Sequence, residues 1–509
     1  MTAEDRDEAA FRALLLDVAS LDDSNRTWLN IATLLLKFCH DFAPSASAWG
    51  DDSADPQREV FNVETRAGMD LQAVDPAFFQ QPPGQKDGDG GDLDSQPMAS
   101  SSSATPEHVQ ALLDVAWDEL NRQPFPDKRM SRAVVARGLA GAIDTLAGST
   151  YMVFFKAQGR VTITEGKAYP VSQHDPRRWL GQYGANTDPR NFQQRDLTFT
   201  ASLRIATGNL GFTYVLDFDL WDRLSLLGAK DGRLVMSAAQ PNLNFSEVDF
   251  RWHGETTPPT YSNHGPVGKV PQVDRIMRLV DAATAEGAEV VVVPEYSVSK
   301  SAYTDLVTRL PHSSSVPIIF CAGLVRDSLA KPGWVENEGW LLMNTPGISR
   351  GHPEHFHAKT SRAKLFGADE RIRRASEVRV FVGERWSLCV LICVEVLAPE
   401  IIDQLADIGA NLILVPAMSE KTKSMADKVS DLCTDSQAFV VMANGPANWL
   451  DKDPAPRCEA FFAGPYETLP SSWYLTLADL GRDPLEIATW VFPASQKTVS
   501  LHQLPADNS

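Results

Sequence analysis

Three polar residues close apolar stretches in the second half of the chain: Glu295 after VVVP, Lys359 at the end of HFHAK, and Cys393 at the end of SLCVLIC. A thiol, a carboxyl group and an ammonium group held at one point can break an amide or a nitrile. The thiolate attacks the carbon and forms a covalent intermediate. The carboxylate takes the thiol proton and returns it to the departing nitrogen. The fixed cation steadies the negative charge that gathers on the substrate, a donor of this kind being worth about 3 kcal/mol. Each residue alone has a plainer reading. A cysteine in an apolar strand is usually a small buried hydrophobe, a glutamate after Val-Val-Pro is commonly a surface or helix-entry charge, and a lysine after His-Ala is most often solvated. The weight lies in the set, because all three stand at strand ends, where a rigid strand fixes position and the adjoining loop stays open.

Other candidates are weaker. His355 and His357 share a face of one short strand, with His352 close by, which could hold a metal, yet no cysteine or acidic residue at ligand spacing completes the set. A polar, partly exposed strand is the simpler reading. Cys389, four residues before Cys393, faces the same side of a regular strand but sits deeper in the apolar run, as core. The serines of PEYSVSK and TLPSSW lack the G-x-S-x-G elbow of a serine hydrolase. Pro399 opens a helix just after Cys393, and a helix N-terminus or a cation near a thiol lowers its pKa.

Strands and helices must position these groups. From about Gly232 the chain alternates apolar strands with amphipathic helices: RLVMSAAQPNL, VPQVDRIMRLVDAATAEGA, EVVVVPEYS, SVPIIFCAGLVR, WLLMNTPG, HFHAK, two strands within RVFVGERWSLCVLICVEVLAPE, then PEIIDQLADIGA, ANLILVPAM, KSMADKVSDLCTDSQ and AFVVMANGP. Uniformly apolar strands interleaved with helices indicate sheets covered on a face by helices, an α/β architecture. The first part differs. Residues 10–42 are helical by the spacing of their apolar positions, so residues 1–79 read as a helical N-terminal region. Residues 80–106, QQPPGQKDGDGGDLDSQPMASSSSATP, have too few apolar side chains to repay ordering and read as a disordered linker or loop. Residues 107–231 read as an α+β accessory region, with helices in PEHVQALLDVAWDELNRQ and SRAVVARGLAGAIDTLA, a hairpin from TYMVFFKAQG and RVTITEG, and further strand in LTFTASLRIATGNLGFTYVLDF. No motif in it assigns a role.

Composition narrows the class. With 509 residues, 43% hydrophobic and 22% charged, the chain exceeds one ordinary domain and has an ordinary globular balance. A formal charge of −19 argues against a nucleic-acid partner, and Arg371, Arg373 and Arg374 read as a solvated loop or helix start rather than a basic face. The acidic start MTAEDRDEAAF is unlike a signal peptide, and no apolar run approaches the roughly 20 residues that span a bilayer. Six cysteines without a CxxC pair fit reduced thiols, hence a cytoplasmic location and no membrane partner.

The constellation resembles the nitrilase superfamily of carbon–nitrogen hydrolases, whose catalytic set is Glu, Lys and Cys in that chain order. The matching pieces are SAAQPNL, VVVPEYS, HFHAKTSRAKLFGADE, LICVEVLAPEI, LILVPAMS, VVMANGP and FFAGPYE, spread over residues 232–504. The resemblance implies an αββα sandwich that pairs into a homodimer, a small amide, carbamoyl compound or nitrile as substrate, and no metal or organic cofactor. It assigns Cys393 as nucleophile, Glu295 as proton carrier, and Lys359 with the backbone N–H of Val394 as the oxyanion donors. Glu370 corresponds, at a loose spacing, to the second glutamate that many members place after the lysine. The lysine segment departs from the pattern: the aromatic-Arg-Lys and the following His-Leu pair are absent, and Lys364, before Leu365 and Phe366, rivals Lys359. Cys-Val-Glu is similar to the Cys-Trp-Glu of nitrilases as much as to the Cys-Tyr-Asp of amidases, which leaves the substrate open.

A second reading keeps the fold without the turnover: a binding or regulatory module that residues 1–231 couple to a multi-protein system such as phage defence. A third, an ammonia-supplying glutaminase domain, is disfavoured because no synthetase-like phosphate loop is visible. The lysine assignment is open to a direct test. Replacing Lys359 and Lys364 separately by Ala is expected to give one variant with almost no turnover and one near the parent, and steady-state rates identify which.

Overall fold

The computed structural model describes residues 3–42, 56–74, 103–122, 128–171, 200, 202–206, 210–228, 234–242, 244–267, 272–310, 317–343, 355–419, 424–425, 427–429, 432, 438–446, 459–464, 473–476, 487–492 and 499–502. Residues 80–102 of the expected linker, His352, Cys433, Cys458, and most of KSMADKVSDLCTDSQ and TLPSSW lie outside them. The chain divides into two compact units, one of Met1–Gln173 with Asp188–Asn209, the other of His174–Thr187 with Leu210–Ser509. Among the described residues no helix is long and apolar enough to cross a membrane.

The first unit is mainly helical: Ala3–Ala19, Trp28–Phe42, Pro56–Val74, Pro106–Arg122 and Lys128–Gln158. The last of these corrects the expected hairpin, because TYMVFFKAQ continues the helix. Tyr151 and Phe155, four residues apart, are buried while Val153 and Phe154 between them are exposed, which is the spacing of a helix face and not the alternation of a strand. Strand does appear at Ala168–Pro170, which pairs antiparallel with Leu203–Ile205. Residues 1–79 and 107–171, read separately from the sequence, share this one unit, and the expected linker already ends in order at Ala104, whose N–H donates to the Arg26 carbonyl at 2.9 Å.

The second unit is the α/β part, two large sheets packed face to face with helices outside. One sheet runs Phe356–Ala358, Val335–Met343, Ile319–Asp327, Val290–Val292, Leu234–Ala239, Ile487–Phe492 and Val499–His502. The other contains, in order, Thr213–Asp217, Glu377–Val382, Ser387–Val390, Leu412–Ala417, Phe439–Asn444, Glu459–Gly464 and Trp473–Thr476. Central neighbours are parallel: Val290–Val292 between Leu234–Ala239 and Ile319–Asp327, and Leu412–Ala417 between Ser387–Val390 and Phe439–Asn444. Every residue of Leu412–Ala417 and Phe439–Asn444 is buried, as strands covered on both faces require. The unit opens earlier than Gly232, since Thr213–Asp217 lies parallel to Glu377–Val382. That partner is far away in the chain, so the linear pattern cannot show it.

Helix Gln272–Ala285 covers the first sheet with Val273, Ile276, Leu279, Val280 and Ala283, one apolar stripe at helical spacing. Each aliphatic side chain so removed from water contributes about 1.5–3 kcal/mol. Helix Lys300–Arg309 adds Ala302, Tyr303 and Leu306 to the same core. Beside the second sheet, helix Pro399–Ile408 buries Ile401, Ile402, Leu405 and Ile408 and accepts a hydrogen bond at the Glu400 carbonyl from Tyr214. Between the sheets, Gly339 lets strands approach: a Cβ there would stand 2.5 Å from a Val390 methyl.

A small third sheet escaped the sequence. Lys364–Leu365, Ala368–Glu370, Thr260–Pro266 and Val248–His253 join in that order. Its strands are short and polar, and the segments carry Gly and Pro, so no apolar period marks them.

Gly323, within Ile319–Asp327, has backbone where a side chain would be: its Cβ would lie 2.2 Å from the Pro294 carbonyl oxygen and 2.6 Å from Glu295 Cα. Gly323→Ala must therefore push away the segment that carries Glu295. A loss of about 1–3 kcal/mol is expected, read as a lowered midpoint in chemical unfolding; an unchanged midpoint would show that the segment yields freely.

Candidate active site

Each candidate side chain lies at or just beyond the end of a strand. Val290–Val292 pairs with Ile319–Cys321, and Val298–Ser299 pairs with Leu324–Val325 further along the same neighbour. The intervening turn, Val293–Ser297, projects Glu295 and places Tyr296 at φ 61°. Lys359 follows Phe356–Ala358, and its N–H donates to the Asn337 carbonyl at 2.9 Å. Glu370 ends Ala368–Glu370 opposite Tyr261 of the small sheet. Cys393 opens a 3-10 turn, Cys393–Leu397, three residues after Ser387–Val390, at φ 52°. Two bulky residues in the left-handed region cost about 1–2 kcal/mol each and persist only where surroundings over-determine them.

The structure brings Glu295, Lys359 and Glu370 together in a buried cluster. Lys359 Nζ lies 2.6 Å from Glu295 Oε1, and 2.8 and 3.0 Å from the two oxygens of Glu370. Lysine exposure is 0%, and the carboxylates are 4% and 1% exposed, so these charges must be satisfied by one another and by hydrogen bonds. Asn337 Nδ2 donates to Glu295 Oε1 at 2.7 Å and more weakly to Glu370 at 3.4 Å. The Ala363 N–H donates to Glu370 Oε2 at 2.8 Å, and the Tyr296 hydroxyl donates to Glu370 Oε1.

One ammonium serving two carboxylates sets the protonation pattern. Burial pushes the Glu295 carboxyl above its usual range; Lys359 opposes this and Glu370 adds to it. For Lys359 burial works against the charge, but Glu295 and Glu370 outweigh it and hold the ammonium charged well above its usual pKa. Burial also pushes the Cys393 thiol up, Glu295 reinforces this, and Lys359 works the other way. The three charges are thus felt at the sulfur. Its nearest hydrogen bond runs to the Met418 carbonyl at 3.7 Å, and among the described residues none joins it to Glu295 or Lys359.

Lys364 is outside the cluster, exposed at the surface with its Nζ 3.7 Å from Asp369. Val394 follows Cys393 within the same 3-10 turn and is half-buried. Cys389 is fully buried within its strand, where burial raises its thiol pKa.

Four residues near these groups were not picked out from the sequence: Asn337, Tyr296, Tyr261 and Glu395. Asn337 and Tyr261 leave no linear signal, since each becomes relevant only through strand pairing, and Tyr296, although next to Glu295, meets Glu370 only in the fold. Glu395 had one, its place two residues after the cysteine. Its buried carboxylate accepts from the Ile392 N–H at 2.6 Å, the Thr360 N–H at 2.5 Å and the Thr360 hydroxyl at 2.6 Å, and meets His357 Nε2 at 3.0 Å. It therefore ties the cysteine turn to the lysine segment. His357, considered as a metal ligand, is committed to this brace. His355 instead stands with Asp217 and Asp219, their ligand atoms within 4.8 Å of one another, and Arg379 lies 3.8 Å from the same Asp217. Those aspartates are too distant in the chain for spacing to reveal.

A buried Glu–Lys–Glu cluster near a cysteine, in a unit of two large helix-covered sheets, places this part of the chain among mixed α/β folds. No protein-family description matches the chain and no curated protein does. About half of the chain is similar to solved structures of the nitrilase superfamily. An amidase of that superfamily from Nesterenkonia AN1 is 14% identical at a TM-score of 0.34, over 51% of this chain and 91% of that one. Nit3 of Saccharomyces cerevisiae is 14% identical at a TM-score of 0.33, over 52% and 96%. Glutamine-dependent NAD+ synthetase from Acinetobacter baumannii is 12% identical at a TM-score of 0.36; 54% of this chain matches, spanning 48% of the synthetase. Identities and scores this low transfer no activity.

The Glu395 brace predicts a pH dependence. Although burial works to raise its pKa, His357 and the hydrogen bonds from Thr360 and Ile392 outweigh it and hold the carboxyl below the ordinary 4.5. A group with a depressed folded pKa stabilises the fold fully above its unfolded value, and that contribution disappears as pH falls through the folded value. Glu395→Gln is expected to lose about 3 kcal/mol at pH 7, with the gap to the parent narrowing below pH 4.5. Urea unfolding of both proteins at neutral and acid pH measures this; a gap that stays constant would reject the brace as an ionic one.

Proposed function

We propose that residues 232–504 act as a cysteine hydrolase of a non-peptide carbon–nitrogen bond, in a small amide, carbamoyl compound or nitrile. The observation that carries this reading is the buried Lys359 ammonium held between Glu295 and Glu370, with the Cys393 thiol near enough to feel their charges. Glu295, its carboxyl pushed above the ordinary pKa by burial, suits a group that both takes and gives a proton. For an amide, Glu295 accepts the thiol proton as the Cys393 sulfur bonds to the carbonyl carbon. Lys359 and the N–H of Val394 steady the oxyanion. The carbon–nitrogen bond then breaks, and Glu295 gives its proton to the departing amine or ammonia. Water, deprotonated by Glu295, attacks the thioester; the acid leaves, and the proton returns to sulfur. Glu370 holds Lys359 charged and in place throughout. In this reading the protein is cytoplasmic, works on a small molecule without nucleic acid or membrane, and pairs into a homodimer through this domain.

One observation favours the rival reading, a binding or regulatory module of the same fold in a multi-protein system. The Cys393 thiol donates to a backbone carbonyl and is held protonated by burial. Hydrogen bonds of a resting site often tighten only with substrate, so reactivity decides. Ammonia release from a panel of short amides, carbamoyl compounds and nitriles is expected from the parent and absent from Cys393→Ala, with fold and oligomeric state unchanged; release by the variant would reject Cys393 as nucleophile. In the parent, a carbon electrophile is expected to label Cys393 well ahead of the other five cysteines. Equal or absent labelling there would favour the binding module.

A further inference from the structure

The short turn before Val335–Met343 gathers three cations around one indole. Lys331 Nζ lies 3.4 Å from the Trp334 ring centroid, Arg362 Cζ 4.7 Å and Arg371 Cζ 5.9 Å. Lys331 and Arg362 are exposed, Trp334 and Arg371 half-buried. None of the three cations pairs with a carboxylate among the described residues. Nearby acids are engaged elsewhere: Glu336 with Arg326 and Arg373 at 2.8 and 3.2 Å, and Asp369 with Lys364 at 3.7 Å. In a chain of formal charge −19, such a group of like charges runs against the overall balance, and its mutual repulsion is relieved by an anion.

The group also sits one step out from the buried cluster along three separate segments. Arg371 follows Glu370. Arg362 precedes Ala363, whose N–H holds Glu370 at 2.8 Å. Trp334 precedes Val335, whose N–H donates to the Arg371 carbonyl at 3.2 Å and whose carbonyl accepts from Arg373 at 2.9 Å, two residues before Asn337. The turn itself is closed by Trp334 N–H to the Lys331 carbonyl at 3.1 Å and Ser328 N–H to the Trp334 carbonyl at 2.8 Å. A flat indole that orients two guanidinium forks and an ammonium presents the donors that carboxylate and phosphate oxygens take in pairs.

We propose that Lys331, Arg362 and Arg371, arrayed on Trp334, form a binding site for a small anion bearing a carboxylate or a phosphate. As the place for the charged end of a substrate, the site rests on the hydrolase reading; as an anion site it stands alone. Calorimetric titration of the full-length protein with succinate, and separately with inorganic phosphate, tests it and tells the two chemistries apart. Saturable binding of one of them is expected, weakened at least tenfold in the double variant Arg362→Gln with Arg371→Gln and unchanged in Lys364→Gln. No saturable binding of either anion, or binding indifferent to the double variant, overturns the proposal. Hydrolysis gives the second arm: the double variant is expected to lose at least tenfold in kcat/KM for succinamate while keeping its value for butyramide. Equal losses on both would remove the substrate role, whereas anion binding without hydrolysis of any amide, carbamoyl compound or nitrile would leave the site standing and reject the hydrolase reading.

Discussion

The second unit depends on one buried ammonium. Lys359, with no exposed surface, holds two carboxylates that come from different sheets, Glu295 from the larger one and Glu370 from the small one. Burying a single charge is costly by several kcal/mol, and only excellent geometry with further hydrogen bonds offsets it. Asn337, Tyr296 and the Ala363 N–H supply those bonds. Burial, with the neighbouring Glu370, pushes the Glu295 carboxyl above its ordinary pKa even though Lys359 opposes it.

The surrounding architecture can be understood as what keeps that geometry fixed. Gly323 brings its strand against the Pro294–Glu295 backbone, and Lys359 is registered to Asn337 through the strand pair that ends at Ala358 and Glu338. Glu395 spans from the cysteine turn to the lysine segment, so that Cys393 and Lys359 are positioned by one carboxylate. Cys393 and Tyr296, both at positive φ, mark where the backbone bends sharply to aim a side chain, strain that rigid neighbours sustain. Outside this shell, Trp334 and its cations lie next to the cluster in sequence and in hydrogen bonding, which gives the site a positive rim in an acidic chain.

Local pattern determined a good deal. Apolar runs such as VVVVP, LCVLIC and LILVPA specify buried strands, and the stripe in QVDRIMRLVDAATA specifies a covering helix, because burial on one face or two imposes a period that any window of sequence carries. Glu295, Lys359 and Cys393 were legible for a related reason: each interrupts apolar sequence at the point where a strand must end. TYMVFFKAQ shows the limit. Its residues favour strand by type, and only packing of Tyr151 and Phe155 within the first unit chose helix, tertiary context overriding propensity.

What only tertiary structure decided is which distant residues meet. Sequence prefers Lys359 to its rival Lys364 only for closing a strand-like stretch, whereas in the structure one is sealed between carboxylates and the other lies on the surface beside Asp369. The small polar sheet that delivers Glu370 and Tyr261 has no apolar period, and Asn337, Glu395 and Thr213–Asp217 acquire their partners through strand register across long stretches of chain. A sequence records which faces must be hidden from water, since that preference belongs to each residue locally. It does not record pairings, since a hydrogen bond or ion pair exists only once the fold has brought its two ends together.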